Sequence, residues 1–361
     1  MRNPIHFPAG VFTLRGIEVR SAMRLHGVMS VCAALAITCG VSPIVEAQAP
    51  EPTTREAALQ QEQAEKAKGL KPFVPNKIER LMDRFDNILA NGTTGWHVFL
   101  ENAYAGGGFA IGPGYTHHFN GYNFVDVRGS YSIKEYKLAE AEFVAPRMFH
   151  RRARVTVLGG WREATEVGFY GLGTNTPQDA RANFSFEQPY VSTTFTIAPT
   201  RRYLVLGAGV EWSRWAQGPG RGSAPSVEDV YTPETLPGLG SDPTYRHSQG
   251  SVGFDWRTSR GYARRGGFYG VAVHDYNDRD DGFGFERVDY EAIQHVPILR
   301  EAWVISLRGR VQTAFNKSGQ QIPFFMLPYV GGGHTLRGYS STRFRDTNGL
   351  LVQAEGVGSH S

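Results

Sequence analysis

From about residue 93 onward the chain keeps a period of two in segments near ten residues long, and few folds tolerate that pattern. Trp303, Ile305, Leu307, Gly309 and Val311 alternate with Ser306, Arg308, Arg310 and Gln312. Leu204, Leu206, Ala208, Val210 and Trp212 alternate with Val205, Gly207, Gly209 and Glu211, and Ala153, Val155, Val157, Gly159 and Trp161 with Arg154, Thr156 and Leu158. Successive side chains of a strand point to opposite faces, so such segments carry an apolar face and a wetter one. A soluble β-sandwich shares this alternation, and the connections have to discriminate.

Eleven strands are predicted near 96–103, 108–118, 122–132, 135–145, 152–162, 185–197, 203–215, 245–256, 267–276, 283–294 and 302–315. The long connections 163–184, 216–244 and 316–349 all follow odd-numbered strands. Even-numbered strands end in short turns such as Phe119-Asn120-Gly121 and Ala198-Pro199-Thr200. Short turns at one end and long loops at the other mark an antiparallel transmembrane β-barrel whose N-terminus is periplasmic. A mean hydropathy of -0.33 fits this fold, because a barrel exposes apolar residues only at every second position. Trp96, Trp161, Trp215, Trp256 and Trp303 are candidates for interfacial girdles.

Residues 1–49 read as a secretory signal whose true start is Met23: Arg24 and His26, an apolar run from Val28 to Ile37, then the small-residue site Ala47-Gln48-Ala49. Both cysteines, Cys32 and Cys39, fall inside it, which removes disulfides and thiolate chemistry from the expected mature chain. Residues 50–92 form a polar lead in which Ile78, Leu81, Met82, Phe85, Ile88 and Leu89 share one face of a short amphipathic helix. Residues 93–361 form the barrel domain. The net charge of +4 is spread along the chain without a nucleic-acid motif, so no nucleic-acid partner is expected.

The residues richest in information follow the eleventh strand. Gly331-Gly332-Gly333 permits a loop to fold back on itself. Leu336-Arg337-Gly338-Tyr339 and then Arg343-Phe344-Arg345-Asp346 add cations and aromatics in a mixture that a solvated loop does not need. A buried arginine there requires a partner.

This combination, with Asp255-Trp256-Arg257 and Arg265-Gly266-Gly267 upstream, resembles the sixth outer loop of the bacterial surface antigen family. That superfamily comprises barrel-assembly, translocation-and-assembly and two-partner secretion barrels. The resemblance implies a loop folded into the lumen, with Arg337 paired to an acidic residue on the inner wall of a following strand. A buried pair of that kind is worth about 3–5 kcal/mol when one partner is removed. The family's acidic partner lies beyond the twelfth strand, and Asp346 is the nearest substitute in this chain.

The resemblance also implies about sixteen strands, against eleven or twelve here. Leu350 to Glu355 opens a twelfth strand that breaks into Gly356-Val357-Gly358, so the barrel is expected to be C-terminally incomplete. The lead leaves no room for a periplasmic module, so the likeness is to the short, module-free form.

Other motifs carry less. Gly106-Gly107-Gly108 and Gly112-Pro113-Gly114 read as strand glycines rather than a phosphate loop, and His117-His118 point to opposite faces, a poor metal geometry. Asp278, Asp280 and Asp281 form an acidic turn. No catalytic residue, metal or cofactor is expected. The implied function is a non-enzymatic factor of the bacterial outer membrane that inserts or translocates proteins, with outer-membrane lipids and unfolded client proteins as partners. The alternatives are a passive pore or structural barrel and, in another class, an outer-membrane lipase-like enzyme.

Overall fold

The computed structural model describes residues 95–200, 203–259, 263–298 and 303–358. The expected signal, polar lead and amphipathic helix lie outside them. The described chain is an all-β antiparallel meander: β1 (Gly95–Phe99), β2 (Ala110–Phe119), β3 (Asn123–Ser132), β4 (Lys137–Arg147), β5 (Ala153–Phe169), β6 (Ala182–Ile197), β7 (Leu204–Arg214), β8 (Ala216–Pro219), β9 (Thr244–Asp255), β10 (Gly266–Asp278), β11 (Phe285–Ile298), β12 (Trp303–Asn316) and β15 (Asn348–Gly358). These make one 13-stranded sheet in which β7 and β8 pair successive stretches of β6. Counting β7 and β8 as one strand, eleven precede the long loop after β12, and β15 is the twelfth. Among the described residues β1 and β15 form the edges of the sheet.

Alternation fixes which side faces which solvent. On β12, Trp303, Ile305, Leu307 and Val311 are exposed while Arg310 and Gln312 are buried. The same parity puts Val252 and Phe254 of β9, Tyr269 and Val273 of β10, Tyr290 of β11 and Leu350 and Val352 of β15 on the exposed face. That continuous apolar face is what strands facing lipid require. The other face is polar and internally paired. Arg128 of β3 contacts Asp126 at 3.1 Å, Glu140 at 3.0 Å and Glu142 at 2.8 Å. Arg308 pairs with Glu291 at 2.7 Å, and Arg162 donates to Gln188 at 2.6 Å.

Three expectations change. The connection predicted at 163–184 is shorter, because β5 runs to Phe169 and β6 begins at Ala182, leaving 170–181 between them. A register shift between Ala164 and Val167 breaks the alternation there and hides the continuation. Trp215 is no girdle residue: it is 1% exposed and stacks on Phe325 at 5.5 Å. Of the two glycine groups, Gly112-Pro113-Gly114 lies in β2 as expected, whereas Gly106-Gly107-Gly108 lies in the β1–β2 connection, with φ 92° at Gly106 and 77° at Gly108. A Cβ on Gly112 would sit 1.8 Å from the carbonyl oxygen of Gly129, so only glycine lets β2 and β3 pair there. Asp278 accepts the backbone N–H groups of Gly282 and Phe283 at 3.1 Å each, closing the acidic turn.

Candidate functional site

The long connections gather at one end of the sheet around an aromatic core. Its centre is a single 3-10 turn, Phe324–Met326, in the loop after β12. Phe324 packs edge-on against Phe184 (5.0 Å) and Phe169 (5.2 Å), and Trp215 lies 4.8 Å from Phe186. All six of these rings, Phe325 included, are at most 2% exposed. The projecting ends of β5 and β6 supply the wall. The Phe324 N–H donates to the Pro237 carbonyl at 2.9 Å, tying the turn to the loop after β8.

Beyond this turn the loop forms its own ribbon, β13 (Tyr329–Val330) paired with β14 (Phe344–Arg345). Between them lies the motif. Gly331 has φ 145°, and a Cβ on it would meet the Ser340 carbonyl at 2.3 Å. Gly332 has φ 86°. These two glycines allow the loop to double back, and the Thr335 hydroxyl, bonded to both N–H and C=O of Gly331 at 2.8 Å, holds the fold. Gly333 makes no such approach.

From Thr335 the chain follows the polar face of β15. Gln353 donates to the Thr335 carbonyl at 2.6 Å, and two residues further on Arg337 pairs with Glu355. Among the described residues the partner of Arg337 is thus Glu355 of the twelfth strand, and not Asp346. Asp346 instead accepts the N–H of Thr347 at 2.6 Å and shapes the local turn. Arg337 is 72% exposed and Glu355 47%, and among the described residues β15 is an edge of the sheet. A pair so placed contributes about 0–1 kcal/mol, not the value expected of a buried one. Leu336 is half-buried, while Gly338 and Tyr339 are exposed, the Tyr339 ring 5.3 Å from that of Phe344.

Burial singles out two other cations. Arg345 is 1% exposed; its Nη1 donates to the Phe324 and Phe325 carbonyls at 3.0 and 2.8 Å, and its guanidinium lies over the rings of Tyr329 (5.2 Å) and Phe184 (5.8 Å). Arg343, 7% exposed, donates to the Thr176 hydroxyl at 2.6 Å and lies 4.8 Å from the Tyr170 ring. The Gly173 N–H donates to the Arg345 carbonyl at 2.9 Å, and the Thr342 hydroxyl to that of Gly168 at 2.8 Å. Desolvation and then the neighbouring Tyr104 hold the Tyr329 phenol well above its usual range, so it stays protonated beside Arg345. The loop is anchored at its base by Arg343, Arg345 and the phenylalanines, and its tip is only lightly tethered.

Upstream, Asp255 pairs with Arg257 at 2.9 Å, and the Trp256 N–H donates to the Gly267 carbonyl at 2.9 Å, closing the strand end between β9 and β10. Sequence reading missed Phe324, Phe325 and Glu355. The run Phe324-Phe325-Met326-Leu327, too apolar for a free loop, was the available signal.

An aromatic-anchored loop thus lies across one end of a 13-stranded antiparallel sheet. No protein-family profile and no characterised protein sequence matches the chain. Solved structures do match. The crystal structure of BamA from Haemophilus ducreyi lacking POTRA domains 1–3 is similar at a TM-score of 0.50 and 14% identity, over 69% of this chain. The match covers 47% of that crystallised chain. The sheet thus shares the fold of the BamA barrel.

Proposed function

We propose that the chain is a bacterial outer-membrane barrel protein of the bacterial surface antigen type that assists insertion or translocation of polypeptides, without chemistry of its own. The observation that carries this reading is the loop after β12, folded onto the polar face of a sheet with the BamA barrel fold. Its partners in this reading are outer-membrane lipids and unfolded client proteins. A plug seated on an aromatic core, with a weakly held tip, favours a displaceable closure over a permanently open pore. Motif and geometry support the reading together: Arg337 meets a carboxylate on the polar side of the following strand.

Depletion in the native cell tests it. The expected result is a fall in folded outer-membrane proteins, restored by the wild-type gene. Unchanged levels, with a steady open conductance of the purified protein, would instead support the passive-pore reading.

A further inference from the structure

The short-turn end of the sheet carries a second surface, separate from the plug. β4 and β5 are joined through Met148–Arg151, where Phe149, His150 and Arg151 all have positive φ, at 47°, 59° and 67°. Three successive side-chain-bearing residues in the left-handed region are uncommon, since glycine is the residue that region favours. The turn is held by the Arg152 N–H, which donates to the Met148 and Phe149 carbonyls at 3.1 and 3.3 Å.

Its consequence is an apolar tip ringed by cations. Phe149 is 61% and Met148 38% exposed. Arg147, Arg151 and Arg152 are exposed around them, and among the described residues no carboxylate pairs with these three. Arg147 lies instead over the ring of Tyr122 at 3.7 Å. The tip is also level with a belt. Phe119, Tyr122, Tyr203, Trp256 and Trp303 are all exposed at strand ends on this same side. Aromatic side chains at that position sit at the headgroup level of a bilayer.

We propose that the 147–152 turn binds the phosphate of an anionic phospholipid headgroup in the leaflet at the short-turn end, with Phe149 and Met148 inserted beside the acyl chains. The guanidinium fork matches phosphate geometry. Three cations without a carboxylate partner among the described residues select a lipid of net negative charge over a zwitterionic one. The exposed apolar tip accounts for a lipid and not for free phosphate, which offers it nothing to pack against. At the opposite end the exposed acids Glu228, Asp229, Asp280 and Asp281 stand among exposed cations such as Arg221 and Arg279, and Arg221 is paired with Glu135 at 2.8 Å.

Native mass spectrometry of the full-length protein, titrated separately with phosphatidylglycerol, phosphatidylcholine and inorganic phosphate, tests this. Wild type is expected to bind phosphatidylglycerol more tightly than phosphatidylcholine. Arg151→Gln/Arg152→Gln should lose about five-fold in affinity per arginine, the change that about 1 kcal/mol per basic residue near an anionic surface gives. Arg151→Lys/Arg152→Lys should keep most of it, and Phe149→Ser should weaken lipid binding alone. Equal affinity for the two lipids, an unchanged glutamine double variant, or phosphate binding as tightly as lipid would each overturn the proposal. Should the double variant fail to fold, wild type at high salt decides: the discrimination must collapse, and its persistence overturns the proposal.

Discussion

Replacing Arg345 by alanine tests which cation holds the plug down. The change removes two charge-assisted hydrogen bonds to the Phe324 and Phe325 carbonyls, each worth about 1.5–3 kcal/mol, and leaves those acceptors buried. It also removes ring contacts over Tyr329 and Phe184, worth about 0.5–2 kcal/mol. Against this stands the relief of burying a guanidinium with 1% exposure, several kcal/mol in the opposite direction. The net expectation is a loss of about 3–4 kcal/mol of loop docking, or roughly 10²- to 10³-fold in the ratio of seated to released loop. Arg337→Ala removes only an exposed pair and should cost about 0–1 kcal/mol, under roughly five-fold. The assay is the reaction rate of a Ser341→Cys reporter with a membrane-impermeant maleimide in reconstituted full-length protein. The chain's two cysteines, Cys32 and Cys39, are replaced by serine in the reporter background, so Ser341→Cys carries its single thiol. Arg345→Ala should raise labelling steeply and increase conductance, and Arg345→Met should fall between. If Arg337→Ala releases the loop as much as Arg345→Ala, the assignment of the anchor to the loop base is wrong.

Five further substitutions probe the scaffold, each read from the midpoint of heat-modified migration. Arg128→Ala strands three carboxylates within 3.1 Å of the lost cation and should cost about 3–5 kcal/mol; a negligible shift would mean that water solvates this wall. Gly112→Ala should prevent assembly of the β2–β3 pair, whereas Gly250→Ala, whose added Cβ meets nothing within 4 Å, should change stability by less than about 1 kcal/mol. Trp215→Ala should destabilise by about 3–5 kcal/mol and Trp256→Ala by much less, since the first is 1% and the second 38% exposed.

Strand positions were legible because an exposed apolar face and a polar, internally paired face impose the period-two code residue by residue. All eleven predicted strands overlap observed ones, and the loop after β12 lies where the count put it. The code fails where that division ends. At Glu163–Phe169 the strand runs past the apolar face, its inner side packs against aromatics from loops, and a register shift breaks the parity. Trp215 illustrates the same failure. An aromatic near a strand end reads as a girdle residue, and only the arrival of Phe325 from more than a hundred positions away makes it core.

Arginine is the residue whose role the sequence conceals most, because its charge is fixed while its surroundings are assembled from distant segments. Arg337 stands in the recognisable motif, yet its partner Glu355 lies on an edge strand, where solvent reduces what the pair contributes. Arg345, eight positions on, reads as a flanking residue and is the buried anchor, because two carbonyls of a 3-10 turn and two rings converge on it. Arg147, Arg151 and Arg152 seem scattered when net charge is counted over the whole chain, and the left-handed turn gathers them around one apolar tip. The same side chain thus serves as tether, anchor and headgroup ligand. Which one it becomes depends on whether the backbone supplies a carboxylate at an edge, carbonyls in a core, or no counterion at a bilayer surface.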